Sequence, residues 1–426
     1  MRIFADLHLH SKYSRATSKD SNITNLEKWS KIKGLDLVGT SDFTHPKWIQ
    51  ELKTSLSDDN DTGIYKTKTG MNFILQTEIS LVYTQDGKGR RVHHVILAPN
   101  FDVVDQITEY LKKHGRVDYD GRPIFKINSQ DFVYELKKIS SDIEVIPAHI
   151  WTPWFGALGS KSGFNSIQEC FKDQTKHIHA IETGLSSDPP MNWRVKELDK
   201  YQLISNSDAH SFWPWRIGRE ANIFDLKKLT YNTLLSAIKT GKGLEGTIEV
   251  NPNYGIYHYT GHRSCNICLS PEESNKLNNI CPVCGKPLTI GVLNRIEELA
   301  DRNPGEKKEN VKPFYEMLPL SELISKFYNK GINTKFVWAK FNEFLSEFKT
   351  ENKILIDAKL EELSKVDNRL AKIIIQNRQG KITVKPGYDG IYGEAIINNE
   401  DTNKKILTTQ ISKLQKFKVQ KNLNEF

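Results

Sequence analysis

The chain has 426 residues, of which 38% are hydrophobic and 26% are charged, and its formal net charge is +8. This length predicts two or three domains, and the composition excludes a disordered or fibrous chain. No stretch approaches the roughly 20 apolar residues of a membrane span, so a membrane partner is not expected. A basic chain suits a polyanionic partner, although a modest positive charge does not identify one.

Residues 1 to about 235 alternate apolar runs, which predict buried strands, with amphipathic segments, which predict helices. The first strand begins at the N-terminus, which therefore does not resemble a removable signal peptide. In residues 131–140, Phe132, Leu136 and Ile139 share one helical face. This alternation predicts an α/β barrel. The apolar runs are residues 2–4, 35–39, 73–76, 92–98, 145–147, 180–181 and 203–204.

Four regions are predicted along the chain. Residues 1–250 form the barrel, residues 255–311 contain four of the five cysteines, and residues 312–398 combine helices with a hairpin. In the third region, helices are expected at residues 320–328, 337–348 and 356–376, and the hairpin near Gly387 and Gly390. Residues 399–426 form a polar tail that is rich in lysine and asparagine.

Metal-binding side chains accompany several of the predicted strands. Because the carboxyl ends of parallel strands converge on one mouth of a barrel, these side chains are expected to meet. Two histidines in an H-x-H segment point the same way and can reach one ion, and a carboxylate can bridge two ions. Imidazole and carboxylate ligands suit Zn²⁺, Mn²⁺, iron or Mg²⁺, so two or three divalent metals and a hydrolytic reaction are predicted. The candidate ligands are His8, His10, Asp42, His45, Glu78, His149, Asp208 and His210.

Any one of these histidines, taken alone, would more often be a buried core residue than a metal ligand. Their common position after apolar runs favours a shared metal centre. Glu182 also follows a predicted strand and is expected to orient a ligand.

The order of the segments D-L-H-x-H, T-S-D, V-H-x-x-x-L and S-D-A-H resembles the PHP (polymerase and histidinol phosphatase) family. The resemblance implies a distorted (β/α)7-type barrel with up to three metals. It assigns one metal to His8, His10, Glu78 and Asp208, a second to Glu78, His93 and His149, and a third to His210 with Asp42 or His45.

His93 occupies the family's V-H position, whereas His94 would point to the opposite face. This chain departs from the family pattern at Asp42, because Phe43 follows it and the histidine comes later, at His45. A further ligand that many members carry shortly after H-x-H is also absent. The number of metals, two or three, therefore stays open.

The four cysteines of the second region are predicted to bind zinc. Cys265 and Cys268 form one C-x-x-C pair, and Cys281 and Cys284 form another after a gap of twelve residues. This spacing predicts a closed tetrahedral Zn²⁺ site that is structural rather than catalytic. Cysteine usage of this kind also indicates a reducing, cytoplasmic compartment.

Longer segments resemble the endonuclease Q family, over nearly the whole chain to about residue 395. They include S-R-A-T-S-K, A-H-I-W-T-P-W-F-G, E-T-G-L-S-S-D-P and the cysteine segment that continues C-P-V-C-G-K-P-L-T-I-G. The resemblance implies a nucleoid-associated DNA-repair nuclease. Such an enzyme nicks double- or single-stranded DNA on the 5′ side of uracil, hypoxanthine, xanthine or an abasic site. The implied catalytic residues are His8, His10, Glu78, Asp208 and Arg15.

Two other functions fit part of the sequence. A PHP phosphatase for a small phosphate ester would share the metal ligands but would leave the cysteine region unexplained. A DNA-binding module with a decayed barrel would have lost several ligands, and here they are retained.

Several residues near the ligands are candidates for DNA contact. A nucleotide taken out of the base stack needs aromatic walls, and at least one nearby tryptophan is expected to face DNA, although packing at the barrel mouth is the alternative. Lys12 and Arg15 suit phosphate oxygens, although Lys12 is equally compatible with a solvated surface. The candidates are Lys12, Arg15, Trp151, Trp154, Trp213, Trp215 and Arg216.

The chain ends in Q-K-N-L-N-E-F, and the pattern Q-x-x-L-x-x-F resembles a sliding-clamp-binding motif. In such a motif Leu423 and Phe426 would enter an apolar groove of the clamp, and Gln420 would form a hydrogen bond.

Overall fold

The structure, a computed structural model, describes residues 1–58 and 60–397, and the predicted clamp-binding residues Gln420, Leu423 and Phe426 lie outside them. Strands β1–β16 are, in chain order, Arg2–Asp6, Leu37–Gly39, Tyr65–Lys66, Asn72–Gln85, Lys88–Ala98, Ile124–Phe125, Glu144–Pro147, Ala180–Glu182, Gln202–Ile204, Ala221–Asp225, Leu244–Glu249, Thr260–His262, Ile267–Leu269, Phe314–Glu316, Thr383–Lys385 and Glu394–Ile396. Helices α1–α12 are Ile23–Lys33, Pro46–Ser55, Phe101–Lys112, Ser129–Ile139, Ile167–Phe171, Pro189–Trp193, Tyr231–Thr240, Pro271–Lys276, Val292–Leu299, Leu320–Phe327, Lys335–Phe348 and Leu360–Arg378.

The predicted α/β architecture is confirmed as a curled mixed sheet with helices packed against it. The strand order is β14-β11-β10-β1-β2-β4-β5-β7, and β3 and β6 also pair with β4. The pairs β1–β2 and β2–β4 are parallel, as predicted, and β8–β9 forms a separate parallel pair. The carboxyl ends of β1, β2, β7 and β9 therefore lead into the loops that carry most of the candidate ligands.

The largest difference from a uniformly parallel barrel is a long hairpin. β4 and β5 contain 14 and 11 residues and pair antiparallel. Asp86 and Gly87 at the turn have positive φ angles of 52° and 72°, which is the geometry that a D-G dipeptide favours. Because of this hairpin, Glu78 and His93 lie within strands rather than after their ends.

Alternation along the strands divides the apolar residues between two sides of the sheet. Phe73 and Leu75 belong to the larger hydrophobic cluster, whereas Ile74 belongs to a second cluster that includes the buried side of α7. The sheet is thus covered on both faces, which suits the apolar character of its strands.

The third predicted region contains the expected helices and hairpin. Helices α10 and α11 begin at or just before the predicted residues, and β15 and β16 form an antiparallel pair. The predicted helix 356–376 is divided, because Ala358 is extended (φ −61°, ψ 137°) and separates a short helical turn at Lys353–Asp357 from α12. None of the helices in the described ranges has the length and apolar character that crossing a bilayer requires.

A buried ion pair joins the barrel to the third region. Lys33, the last residue of α1, is 2% exposed, and its Nζ lies 2.8 Å from Oε1 of Glu351. The same Nζ donates to the carbonyl of Pro214, and Glu351 also accepts from the backbone N–H of Leu320. The pair of Lys33 and Glu351 therefore connects α1, the loop before β10 and the start of α10.

Replacing Lys33 by methionine is expected to lower the free energy of unfolding by about 3–5 kcal/mol, because the carboxylate of Glu351 would stay buried without its cation. Urea unfolding measures the effect. The matched control is Lys31→Met, which removes a pair with Glu27 in which the lysine is 43% exposed, and it should cost less than about 1 kcal/mol. Equal effects of the two variants would contradict the prediction.

Candidate metal centre

Four side chains from two loops and one strand converge on the first candidate metal position. His8, His10, Glu78 and Asp208 each place a ligand atom within 4.8 Å of the others. Nε2 of His10 lies 3.1 Å from Oδ1 of Asp208 and 3.2 Å from Oε2 of Glu78. Nε2 of His8, Nε2 of His10 and Oδ1 of Asp208 are buried and have no hydrogen-bond partner in the described residues. Lone pairs that face one another in this way fit a bound cation.

Glu78, His93 and His149 form a second group. Oε1 of Glu78 lies 2.8 Å from Nδ1 of His93 and 3.2 Å from Nε2 of His149, while Oε2 faces the first group. The strand register explains this contact, because His93 lies opposite Ser80 and its side chain is a diagonal neighbour of Glu78. Glu78 is therefore the carboxylate shared by both groups.

The neighbouring histidine has a different environment, as the alternation of the strand predicts. Nε2 of His94 lies 2.9 Å from Oγ of Ser129, and its ring stacks on Phe132. His94 is thus a buried residue on the other face of β5, and His93 is the one that reaches the centre.

The backbone at three candidate ligands adopts an uncommon conformation. Asp42, His149 and Asp208 have positive φ angles of 31°, 30° and 46°. Such conformations concentrate at functional sites, where surrounding contacts stabilise them. Gly184 permits one of these contacts, because a Cβ at its position would lie only 2.5 Å from Cβ of His149.

Two further carboxylates orient the histidines. Glu182 accepts hydrogen bonds from Nδ1 of His8 at 3.0 Å and from the backbone N–H of His149 at 2.8 Å. Asp42 accepts from Nδ1 of His10 at 3.2 Å, and its other oxygen accepts from Ser11 and Ser14. These bonds leave Nε2 of His8 and of His10 free to bind a metal.

The electrostatics of the centre favour ionised carboxylates. Burial would raise the pKa of Glu78, but His93, Arg122 and His8 hold it well below its usual value. Burial would also raise the pKa of Asp208, but His8, His210 and His10 hold it well below its usual value. Burial would lower the pKa of His10, but the neighbouring carboxylates of Asp208, Asp42 and Glu78 raise it to about 10. A cation between these groups, whether a proton or a metal, is therefore strongly favoured.

The residues proposed for a third metal are not gathered into a further group in the described part of the chain. The carboxylate of Asp42 accepts hydrogen bonds from Ser11, Ser14 and His10. The ring of His45 stacks on Tyr13 at 4.3 Å. Nδ1 of His210 donates to the carbonyl of Asp208, and its ring lies 4.4 Å from His10. His210 thus borders the first group, whereas His45 lies apart.

The cationic candidates differ in their distance from the centre. Lys12 pairs with Glu51 at 2.9 Å, and Arg15 pairs with Asp120 at 3.3 Å and is 72% exposed. Arg122, which the sequence did not predict, lies closer, because its Nη1 is 3.1 Å from Oε2 of Glu78. The pairing of β6 with β4 brings Arg122 to Glu78, and no local sequence motif predicts that pairing.

Three of the four candidate tryptophans lie in packed positions. Trp151 is buried and donates its Nε1–H to Asn192. Trp213 and Trp215 stack on each other at 5.1 Å, and both contact Trp338 of α11. Trp154 is half-buried, with its ring edge-on to Tyr257. The first three thus have the environment expected for packing at the barrel mouth.

A cavity of about 350 Å³ opens beside the first metal group. Arg219 is buried in its wall, donates through Nη2 to the carbonyl of Ser207 and leaves Nε without a partner in the described residues. The guanidinium of Arg216 lies over the exposed ring of Tyr392. We call this space the arginine cavity, and its lining residues are Ala16, Asp208, His210, Ser211, Arg216, Arg219 and Tyr392.

The cysteine region contains a separate candidate metal site. His262, Cys265, Cys281 and Cys284 place their ligand atoms within 4.8 Å of one another. Cys268 is not in this group, and its Sγ lies 4.0 Å from the carbonyl of Pro386.

The backbone around this group contains two similar turns. Asn266 follows Cys265 with φ 54°, and Gly285 follows Cys284 with φ 71°. The segments H-x-x-C-N and C-x-x-C-G are thus equivalent in form. The C-x-x-C spacing alone does not point to His262. The asparagine after Cys265 does, because it occupies the same left-handed position as the glycine after Cys284.

Comparison with known proteins extends these observations. Residues 319–381 match the family described as the MJ0043 C-terminal domain. The structure is similar to that of a lesion-specific endonuclease from Pyrococcus furiosus, with a TM-score of 0.84 and 33% identity over 94% of this chain and 96% of that chain. It is equally similar, with a TM-score of 0.84 and 34% identity over 94% of this chain and 98% of that chain, to endonuclease Q in complex with a 27-mer duplex that carries an abasic lesion at the active site.

The chain is also 34% identical over 290 residues to protein MJ0043 of Methanocaldococcus jannaschii. This match covers 66% of the chain and 34% of that protein, so the chain spans about a third of the length of this relative. The two structural matches cover nearly the whole length of both partners. They confirm the predicted distorted barrel, with its cysteine and C-terminal regions, as one known fold.

Proposed function

Because the chain belongs to the endonuclease Q family of metal-dependent DNA-repair endonucleases, we propose that it nicks duplex DNA on the 5′ side of a deaminated base or an abasic site. The observation that carries the proposal is Glu78, whose two oxygens face two groups of ligands. Such a shared carboxylate can hold two metal ions close together, as two-metal phosphoester hydrolysis requires.

The residues of this centre have distinct tasks in the proposed reaction. Two bound cations, for which Zn²⁺, Mn²⁺ and Mg²⁺ are candidates, would activate water and offset the charge that develops on the phosphate. His8, His10 and Asp208 would hold the first cation, and His93 and His149 would hold the second. No nucleophilic side chain is required.

We propose that the arginine cavity receives the base of the lesion nucleotide. A deaminated base carries a carbonyl oxygen where its parent carries an amino group. The N–H groups of Arg216 and Arg219 can donate to that oxygen and cannot accept from an amino group. Removing a base from the stack costs a few kcal/mol, and a mismatched base costs least, which adds to the selectivity.

The direct test uses end-labelled duplexes that contain uracil, hypoxanthine, an abasic site or no lesion, with Zn²⁺, Mn²⁺ or Mg²⁺. A metal-dependent nick on the 5′ side of the lesion, absent with Asp208→Asn, is expected. A failure to nick any lesion duplex, together with turnover of a small phosphate ester, would support a PHP phosphatase instead.

Replacing Arg216 by alanine is expected to slow nicking at uracil about ten- to hundredfold, because one hydrogen-bond donor to the base edge is lost. Nicking at an abasic site should change little, since no base is present to be read. Single-turnover rates on the two duplexes measure the difference. Arg2→Ala, at the opposite end of β1, serves as the control, and equal losses on both duplexes would argue against base recognition by Arg216.

The second site is proposed to hold structural Zn²⁺ through His262, Cys265, Cys281 and Cys284. Thiolate and imidazole ligands suit this metal, and four protein ligands leave no open position for substrate. Binding of single-stranded DNA and of a sliding clamp through the tail are further proposals that rest on the sequence alone. Single-stranded oligonucleotides in the same nicking assay test the first of them.

A further inference from the structure

Arg122 is a cation at the metal centre that is not among the proposed metal ligands or the residues proposed to bind the base. We propose that Arg122 contacts the phosphate that is cleaved, and that Glu78 and the surrounding loop hold its guanidinium in place for this contact. The inference rests on the proposed function and assigns a further catalytic residue to the same site.

The backbone around Arg122 is firmly positioned. Strand β6 pairs in parallel with β4, and the N–H of Ser80 donates to the carbonyl of Pro123 at 3.1 Å. The N–H of Gly121 donates to the carbonyl of Tyr13, which belongs to the loop after His10. Asp120 accepts from the backbone N–H groups of both Arg122 and Arg15. The loop is therefore tied to two of the three elements that supply the first metal group, namely β4 and the loop after β1.

Only part of the hydrogen-bonding capacity of the Arg122 side chain is used. Nη1 of Arg122 lies 3.1 Å from Oε2 of Glu78, and the side chain is 26% exposed, whereas Glu78 is fully buried. A guanidinium has five N–H donors. Within the described residues, no acceptor contacts Nε or Nη2 of Arg122, so these donors remain available at the edge of the centre.

The charges explain which kind of group these donors would bind. Glu78 and Asp208 carry two negative charges at the first group, and two divalent cations would carry four positive charges. Arg122 adds a fifth positive charge, so the metal-loaded centre would carry an excess of positive charge that favours the approach of an anion. A phosphodiester supplies that anion, and the extra charge that develops on its oxygens during cleavage makes the contact stronger in the transition state.

Arg15 provides an internal comparison. It lies on the same loop system, but its guanidinium pairs with Asp120 and is largely exposed. A purely long-range effect of positive charge would involve both arginines. Direct contact with the phosphate would involve Arg122 far more than Arg15.

The test compares the full-length, metal-loaded chain with its Arg122→Ala, Arg122→Lys and Arg15→Ala variants. Arg122→Ala is expected to lower the single-turnover nicking rate about 100- to 1,000-fold while metal content stays at the level of the parent. Guanidinium ion, far below denaturing concentrations, should restore part of that rate and should not accelerate the parent. Arg122→Lys should retain part of the rate, and Arg15→Ala should lose less than about tenfold.

Loss of bound metal in both Arg122 variants would overturn the proposal, because Arg122 would then act only by holding Glu78. An unchanged nicking rate, or a loss that guanidinium ion cannot restore, would overturn it as well. Inorganic phosphate provides a measurement that does not depend on lesion DNA. Its affinity for the metal-loaded chain should fall about tenfold or more in Arg122→Ala, even if the parent nicks no lesion duplex.

Discussion

Replacing Glu78 by glutamine is expected to lower the nicking rate about a thousandfold or more and to release metal from both groups. Its two oxygens face different groups, 2.8 Å from His93 on one side and 3.2 Å from His10 on the other. An amide would offer one poor acceptor in place of a shared anion. Metal-ion catalysis provides several kcal/mol of charge stabilisation in the transition state, and about 4 kcal/mol corresponds to a thousandfold in rate.

Single-turnover nicking and elemental analysis of the dialysed protein measure the two effects of Glu78→Gln. Asp208→Asn should weaken mainly the first group, because Asp208 contacts His8 and His10 but is not a member of the second. Glu182→Gln should cost only about 10- to 100-fold in metal affinity, since Glu182 orients ligands without being one. A Glu78→Gln protein that keeps both metals and its rate would remove the basis of the proposed mechanism.

The candidate ligands that short motifs carry could be predicted from the sequence. The H-x-H and S-D-A-H segments come directly after strands, and strand alternation separates His93 from His94. Arg122 could not be found in this way, because it reaches Glu78 only through the pairing of β6 with β4. Local motifs identify the residues at the end of a strand, whereas contacts between strands depend on the pairing of distant segments.

The tryptophans also have contacts with distant segments that a local motif does not predict. Trp213 and Trp215 follow His210 closely, and this proximity suggested contact with DNA. Their stacking partner Trp338 lies in α11, far away in sequence, and Trp29 of α1 also contacts Trp213. Together with the buried pair of Lys33 and Glu351, these rings connect the C-terminal helices to the loop that carries Asp208 and His210. The C-terminal region therefore helps to fix the geometry of the metal centre.

Two single variants in the cysteine region decide which four side chains bind its metal. His262→Ala is expected to lose the zinc proposed for this site, whereas Cys268→Ser should retain it. Nδ1 of His262 lies 3.4 Å from Sγ of Cys284, inside the group of four, while Sγ of Cys268 lies beside the carbonyl of Pro386. Zinc binding contributes about 10–16 kcal/mol in small zinc domains, so the loss of one true ligand should be evident.

The measurement is zinc content after dialysis against a chelator, with Mn²⁺ supplied afterwards to the catalytic centre. In the parent, a thiol reagent should modify Cys268 while zinc protects Cys265, Cys281 and Cys284, and Cys170 should be slow to react because it is fully buried. The His262→Ala protein should expose all four thiols of the region and unfold at a lower denaturant concentration. If Cys268→Ser instead loses the zinc and His262→Ala keeps it, the metal is held by four thiolates, and the two equivalent turns after Cys265 and Cys284 do not define its ligands.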